Sequence, residues 1–523
     1  AQILLLNPEN GSSTMLSDGN SRHGSPLWDK TGEHIAFMSN RRNGASNDVW
    51  TMPIDKPDQA EMVLESPDGT WWGPIDWSND GKHLLIQNYI SITNSKVYLL
   101  DLETKNKRLI LGNLAEPSVN SGLAFDATNT GVFFTTDTFA EFNQLAHKNL
   151  VTGEVTIISQ NINWDVDGFA ISSDGKRAAF KVNENGFSAL YLLNTQTLQY
   201  QQVEDLPMGL VGGMQFNEAG SQLGLSLNTY QSPSDTYTLA LSRNPLRHKD
   251  LVRWTQSEVG GLDTSTFVEP QLITYPTFDN RNIPAFVYTK PSREPQPVII
   301  YIHGGPEGQS RPSFSSTFQL WIDQLGATVI TPNVRGSEGY GKTYLGLDNG
   351  FQREDSVKDI GALLDWIAQQ PNLDASRVAV YGGSYGGYMV LASAVHYSER
   401  LSAAIDIVGI SNFVTFLKNT KDYRRDLRRV EYGDERDPAM REFLEKISPN
   451  NNVDKITVPM FVAQGENDPR VPVTESEQIV DALREADKIV WYMNALNEGH
   501  GYRKKENRDL YQQAVILFLK TYL

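Results

Sequence analysis

The sequence predicts two architectures in tandem: an all-β propeller, then a doubly wound, mostly parallel α/β sheet. Three observations predict them. A six-residue phrase recurs five times in the first half. In the second half, short apolar runs alternate with amphipathic helical patterns, which implies a sheet covered on both faces. Between Arg377 and Leu391 the chain reads RVAVYGGSYGGYMVL, a strand-like run entering a glycine-rich turn and then a small-residue helix.

Length and composition narrow the reading further. At 523 residues the chain exceeds one ordinary core, so two or more domains are expected. A hydrophobic fraction of 39% with 21 Tyr, 21 Phe and 10 Trp argues for a globular chain. The net charge of −17 and the lack of a large basic patch argue against a nucleic-acid partner. With no cysteine there is no disulfide, thiolate zinc site or cysteine nucleophile. No membrane-spanning apolar run and no cofactor motif is found, so neither a membrane role nor a cofactor is expected. The first residue is Ala1 rather than Met, so a processed or trimmed start is expected, and a cytoplasmic or periplasmic location stays open.

The repeated phrase has an apolar second position and ends in turn residues. It occurs at Leu27–Gly32, Asp76–Gly81, Ala124–Asn129, Ala170–Gly175 and Gln215–Gly220. Its apolar second position falls at Trp28, Trp77, Phe125, Ile171 and Phe216, with separations of 49, 48, 46 and 45. Each phrase precedes an alternating strand such as His34–Met38, with a further strand such as Lys96–Asp101 beyond it. Four short strands per unit of this length is propeller-blade spacing. The chain begins in mid-phase, with Gln2–Leu6 and Ser13–Leu16 as the last two strands of a blade. The expectation is therefore five full blades plus a half blade over residues 1–255, either a small ring or one lacking upstream residues. His23, His34, His83, His147 and His248 are scattered singly, without metal-ligand spacing.

Alternation fades from Asn244 to about Pro270; residues 256–270 are the expected linker, and residues 271–523 the expected α/β domain. Its strands are expected at Gln271–Tyr275, Ile283–Tyr288, Val298–Ile302, Thr328–Thr331, Val378–Tyr381, Ala403–Ile407, Met460–Gln464 and Val490–Met493. Ser356–Gln369, Glu475–Ala486 and Asn507–Leu523 are the main helices. In such sheets function collects at the carboxyl ends of the strands.

Gly382-Gly383-Ser384-Tyr385-Gly386 is a G-x-S-x-G turn between strand and helix, the pattern of a nucleophile elbow. A serine hydroxyl needs a base. His396 lies about three helical turns beyond Ser384, too far along its helix. His500 follows the strand at Val490, and Asp468 follows the strand at Met460. The order Ser384, Asp468, His500 is that of an α/β-hydrolase. Glu466 competes as the acid; Pro469 pins the loop backbone beside Asp468 and favours it. The backbone N–H of Tyr385 supplies one oxyanion donor, and the loop His303-Gly304-Gly305-Pro306 supplies the other. His303 itself reads as a structural residue bonded to nearby backbone.

These motifs resemble those of the prolyl oligopeptidase family of serine peptidases, in particular its acylaminoacyl-peptidase-like and dipeptidyl-peptidase-like bacterial members. The matching stretches are HGGPEGQ at 303–309, PNVRGSEGYG at 332–341, GGSYGGY at 382–388, GENDPRVP at 465–472 and EGHGY at 498–502. The resemblance implies a propeller joined to an α/β-hydrolase domain and a triad of Ser384, Asp468 and His500. It implies oxyanion donors on Tyr385 and Gly305, and an arginine at Arg470 that holds a substrate carbonyl. A loop-stabilising ion pair is the other reading of Arg470. The chain lacks the Glu-Glu dipeptide with which dipeptidyl peptidases bind a free amino terminus, which tells against that specificity.

A run of arginines, Arg424, Arg425, Arg428 and Arg429, lies on an expected helix between nucleophile and acid. It would either hold a substrate carboxylate, suggesting carboxypeptidase-like action, or form a solvated face balanced by Asp426, Glu431, Asp434 and Glu435. The function expected is a serine peptidase acting on oligopeptides, acylaminoacyl-peptidase-like, with the propeller excluding large folded proteins. A carboxylesterase with the same triad is the first alternative, and a propeller-based binding protein with an inactive hydrolase domain the second. A homo-oligomer stays open.

Overall fold

The structure, a computed structural model, describes residues 1–67 and 70–523, apart from the side chains of residues 422 and 423. By its internal contacts the chain divides into two compact units. The first comprises Ala1–Leu206, Val211–Ser226 and Thr236–Thr255; the second comprises Pro207–Leu210, Leu227–Asp235 and Gln256–Leu523.

The amino-terminal strands form five four-stranded antiparallel sheets, preceded by a two-stranded pair, Leu4–Leu6 with Ser13–Met15. The five sheets start with His23–Trp28, Trp71–Trp77, Asn120–Phe125, Asp165–Ile171 and Leu210–Phe216. The repeated phrase thus marks one structural event: its apolar residue is the last of each first strand. Four residues on, the backbone turns left-handed every time, at Gly32, Gly81, Asn129, Gly175 and Gly220, with φ between 59° and 76°. Glycine has no Cβ to clash there, and asparagine is among the few residues that tolerate the same geometry.

Alternation along each strand sends neighbouring residues to opposite sides, so one strand can serve the cores on both faces of its sheet. Leu84 and Ile86 join Ala36, Val49 and Trp72 in the core between the first and second full sheets. Leu85, between them in sequence, joins Val132, Phe134 and Ala146 between the second and third. Phe133 points the other way, to Ala178 and Phe180 of the fourth sheet. The two-stranded pair packs Ile3 and Leu16 on Ile35, Phe37 and Met52 of the first full sheet. This is face-to-face blade packing, the propeller with five full blades and a half blade.

The carboxyl-terminal sheet has eight strands: β1 (Gln271–Pro276), β2 (Asn282–Tyr288), β3 (Gln296–Ile302), β4 (Thr328–Pro332), β5 (Leu373–Gly383), β6 (Ala403–Ile407), β7 (Met460–Gly465) and β8 (Val490–Ala495). Their order is 1-2-4-3-5-6-7-8. β1 pairs antiparallel with β2, and β2 with β4; β3 to β8 run parallel. Helices α1 (Ser316–Leu325), α2 (Asp355–Ala368), α3 (Tyr385–Tyr397), α4 (Asp422–Tyr432), α5 (Val473–Glu485) and α6 (Lys505–Tyr522) accompany it.

Both faces of the sheet are covered, which is why its strands read as continuous apolar runs. Val298, Ile300 and Ile302 of β3 pack with Val378 and Val380 of β5, beneath Ile360 and Leu364 of α2, Met389 of α3 and Ile479 of α5. On the opposite face Trp321 of α1 meets Tyr381 with ring centroids 4.7 Å apart, and Phe518 of α6 meets Phe461 at 5.6 Å. Residues 256–270 belong to this second unit and include the short turn Thr264–Thr266; the Val268 N–H donates to Gln319 of α1 at 3.1 Å.

Candidate active site

Ser384 sits between β5 and α3 with φ 61° and ψ −120°, a conformation that costs a serine energy and persists where its surroundings enforce it. Its N–H donates to the Ile407 carbonyl at 2.8 Å. The flanking glycines allow the chain to pass. A Cβ on Gly382 would stand 2.4 Å from the Gly386 oxygen, and one on Gly386 would stand 2.2 Å from the Ile302 oxygen. The parallel neighbour β3 therefore comes within van der Waals reach of the elbow, and only glycine fits.

The loop after β7 brings Asp468 to His500, in the loop after β8. Asp468 Oδ2 lies 2.6 Å from His500 Nδ1. The other oxygen, Oδ1, accepts from the N–H groups of Arg470 at 2.8 Å and Val471 at 3.2 Å. The Asp468 side chain is fully buried, whereas that of His500 is 15% exposed. A carboxylate only accepts, so Nδ1 bears the imidazole proton and Nε2 is the basic nitrogen. Glu466 points elsewhere: exposed, it accepts from Asn494 at 2.6 Å.

The histidine loop is pinned from both sides. Glu498 accepts from the N–H groups of Arg503 and Lys504, just before α6, at 3.1 and 2.8 Å. The Tyr502 hydroxyl lies 3.0 Å from the Gln464 carbonyl and 2.8 Å from that of Met493.

His303 is the backbone-bonded residue the sequence suggests. Its Nδ1 lies 2.9 Å from the Gly304 carbonyl, and its Nε2 lies 2.8 Å from Ser337 Oγ. Burial lowers the imidazole pKa and keeps the ring neutral. In a planar trans peptide the N–H points opposite to the C=O. Fixing the Gly304 oxygen therefore fixes the direction of the Gly305 N–H. Gly304 lies close to the elbow, where an added Cβ would stand 3.4 Å from Ser384 Cβ and 3.8 Å from Tyr385 N.

Ser384, His500, Gly304 and Gly305 line one cavity of about 240 Å³. Its apolar wall is Ile410, Phe416, Tyr432 and Val471; Arg424, Arg428 and Arg470 supply the positive charge. Of the arginine run, Arg424 and Arg428 reach this cavity. Arg425 does not line it: its Nη2 donates to the carbonyls of Lys418 and Thr420, at 3.0 and 3.1 Å, tying α4 to the end of the short helix Phe413–Asn419. Arg429 pairs with Glu435 and Asp426. Arg428 is engaged too, with Nη1 2.9 Å from the Gly305 oxygen and 3.1 Å from both oxygens of Glu307. Arg470 is exposed at the cavity rim, and its backbone carbonyl accepts from Thr420 at 2.8 Å.

Sequence reasoning missed the buried polar groups around this site. Asp348, Arg353 and Ser356 lie beneath Tyr385. Arg335, inside PNVRGSEGYG, donates to Asp359 at 3.0 and 2.9 Å and to Asp279 at 3.2 Å, bracing the backbone after β4. A lone arginine and aspartate at irregular spacing give no periodic signal, and only the fold juxtaposes them.

Among known proteins, residues 312–523 match the model of the prolyl oligopeptidase family. The dipeptidyl aminopeptidase BIII of Pseudoxanthomonas mexicana is 30% identical over 296 residues, which is 55% of this chain and 42% of that protein. The acylamino-acid-releasing enzyme of Mus musculus is 27% identical over 252 residues, 45% of this chain and 32% of that protein. This chain thus matches less than half the length of either. A Mycobacterium tuberculosis puromycin-hydrolyzing peptidase shares the fold with a TM-score of 0.87 at 19% identity, over 100% of this chain and 83% of that one. Residues 312–523, which bear the Ser384 elbow, form a prolyl oligopeptidase family domain.

Proposed function

We propose that the chain is a serine peptidase that hydrolyses oligopeptides in the manner of an acylaminoacyl peptidase. The observation that carries this reading is the 2.6 Å contact between His500 and Asp468, in a cavity shared by His500, Ser384 and Gly305. In this mechanism Ser384 Oγ attacks the scissile carbonyl while His500 Nε2 takes the hydroxyl proton, and Asp468 stabilises the imidazolium. The N–H groups of Tyr385 and Gly305 receive the developing oxyanion. Collapse breaks the C–N bond, and His500 returns the proton to the leaving amine. Water, deprotonated by the same imidazole, then releases the acyl group and regenerates Ser384. Arg470, at the rim, binds a substrate backbone carbonyl.

A second reading has its own support: Arg424, Arg428 and Arg470 line the cavity, and a charged pocket of this kind suits a substrate carboxylate. One peptide set separates the two. Identical sequences with free, acetylated or amidated ends are incubated with wild type and Ser384→Ala, and products are read by mass spectrometry. Release of a residue from acetylated amino termini by wild type alone is the result expected. Dependence on a free carboxyl terminus favours the second reading. Cleavage of nitrophenyl esters with no cleavage of any peptide would sink both.

A further inference from the structure

Beneath the elbow lies a buried charged cluster that the chemistry above does not use. Arg353 and Asp348 have side chains 0% and 1% exposed, with Nη1 2.5 Å from Oδ2. The hydroxyl of Tyr385 completes a triangle with them, 3.1 Å from Nη1 and 3.1 Å from Asp348 Oδ2. Ser356 Oγ lies 3.0 Å from the same hydroxyl. The guanidinium also stands over the rings of Tyr385 and Tyr432, 5.2 and 5.1 Å from their centroids. Those two rings are near-parallel, at 13°.

The cluster continues to the other oxyanion strut. Arg353 Nη2 donates to the Glu431 carbonyl at 2.6 Å. The Glu431 carboxylate accepts from Arg428 at 2.5 Å, and Arg428 donates to the Gly305 carbonyl at 2.9 Å. One guanidinium therefore touches the side chain of the residue that offers the first oxyanion N–H. Through the end of α4, it also reaches the carbonyl of the residue that offers the second.

Burying such a pair is costly and is weak evidence for stability as its purpose. What it does supply is position. Tyr385 is the first residue of α3, where backbone N–H groups lack helical partners and point outward. Its ring is held at the hydroxyl by three groups and on its face by the guanidinium, so the residue has little freedom to rotate. An oxyanion site works in proportion to how well its donors are fixed before charge develops.

We propose that Arg353 is a positioning residue for the oxyanion site, setting the Tyr385 and Gly305 donors relative to each other through Tyr385, Glu431 and Arg428. The proposal rests on the serine-hydrolase reading of the site. Its test uses the full chain as wild type, Arg353→Met, Tyr385→Phe and the double variant. A fluorophosphonate probe reports labelling of Ser384, resolved into a maximal rate and a half-saturating concentration. Hydrolysis of 4-nitrophenyl butyrate gives kcat and KM.

For Arg353→Met the maximal labelling rate and kcat are expected to fall about 30-fold, with the half-saturating concentration and KM within about twofold, because only transition-state contacts are lost. Tyr385→Phe should fall about fivefold, and the double variant no further than Arg353→Met, since both act through one contact. Unchanged rates in folded Arg353→Met, or single losses that multiply in the double variant, overturn the proposal. If Arg353→Met does not fold, near-isosteric Tyr385→Phe decides alone: a slowed maximal rate supports the proposal and an unchanged one overturns it. If wild type is not labelled at Ser384 at all, the serine-hydrolase reading falls and this proposal with it.

Discussion

The carboxyl of Asp406 lies against the backbone of Gly387, three residues beyond the candidate nucleophile: a Cβ on Gly387 would stand 2.3 Å from Oδ1. Asp406 is fully buried on β6. Burial pushes its carboxyl up to about 8; the nearby Gly409 N–H opposes the rise. Burial raises the pKa of the Tyr511 hydroxyl, and the charge of Asp406 raises it further. Folded, the group keeps a proton that the unfolded chain releases near pH 4, so its contribution is full below about pH 4 and is lost as pH rises through about 8. The loss is on the order of 5 kcal/mol. Thermal unfolding from pH 5 to 9 should show a falling Tm in wild type and a flatter profile in Asp406→Asn. Parallel profiles would refute this account.

Asp468 and Glu466 are two residues apart, yet the structure sends them in different directions. Asp468→Asn leaves His500 Nδ1 without a charged acceptor and should lower kcat about 1,000-fold or more. Glu466→Gln loses one exposed contact with Asn494 and should stay within about twofold. Steady-state kinetics on one ester substrate compares them directly. Equal losses would mean that the acid has been misassigned.

Arg335 is 3% exposed at its side chain and pairs with Asp359, which is fully buried. Arg335→Met strands that carboxylate and should cost about 3–5 kcal/mol in urea unfolding. Adding Asp359→Asn removes the stranded charge and should recover part of the loss. A double variant no better than the single would show that packing, not charge, sets the penalty.

The five left-handed turns of the propeller predict a graded series. Gly32 has φ +76° with nothing within 4 Å of an added Cβ, so Gly32→Ala isolates backbone strain. It should cost about 1 kcal/mol. Gly175→Ala adds a clash, 2.6 Å from Ala127 Cβ, and should cost more. At the same turn position, Asn129→Gly relieves the positive φ but removes the side-chain oxygen that accepts from the Asn79 N–H at 2.8 Å, so it should cost about 1 kcal/mol. Denaturant midpoints of the three variants check the series, and a Gly32→Ala more costly than Gly175→Ala would break it.

The blades were legible because a propeller repeats a local event: an apolar strand end, then a residue that tolerates positive φ. Trp28 with Gly32 and Phe125 with Asn129 display that event in a few adjacent letters. The elbow was legible for the same reason, since Gly382 and Gly386 answer to clashes within one turn and with β3. Asp468 and His500 were legible through order, as residues in loops after successive strands. The helix ends were less so: α2 runs Asp355–Ala368 and α6 Lys505–Tyr522, each offset by a residue or two from the apolar pattern. End residues answer to capping and docking as much as to periodicity.

By itself, then, the sequence determined the two architectures, the strand order of the chemistry-bearing loops and the residue types at the elbow, because each depends on local sterics or on period. Tertiary structure alone decided which polar groups meet. It brought Arg428 rather than Arg425 to the cavity, set Arg353 between Asp348 and Tyr385, and buried Asp406 against Gly387. A buried charge takes its partner and its protonation state from side chains distant along the chain, through forces that act over a few ångströms, and no periodicity encodes those distances.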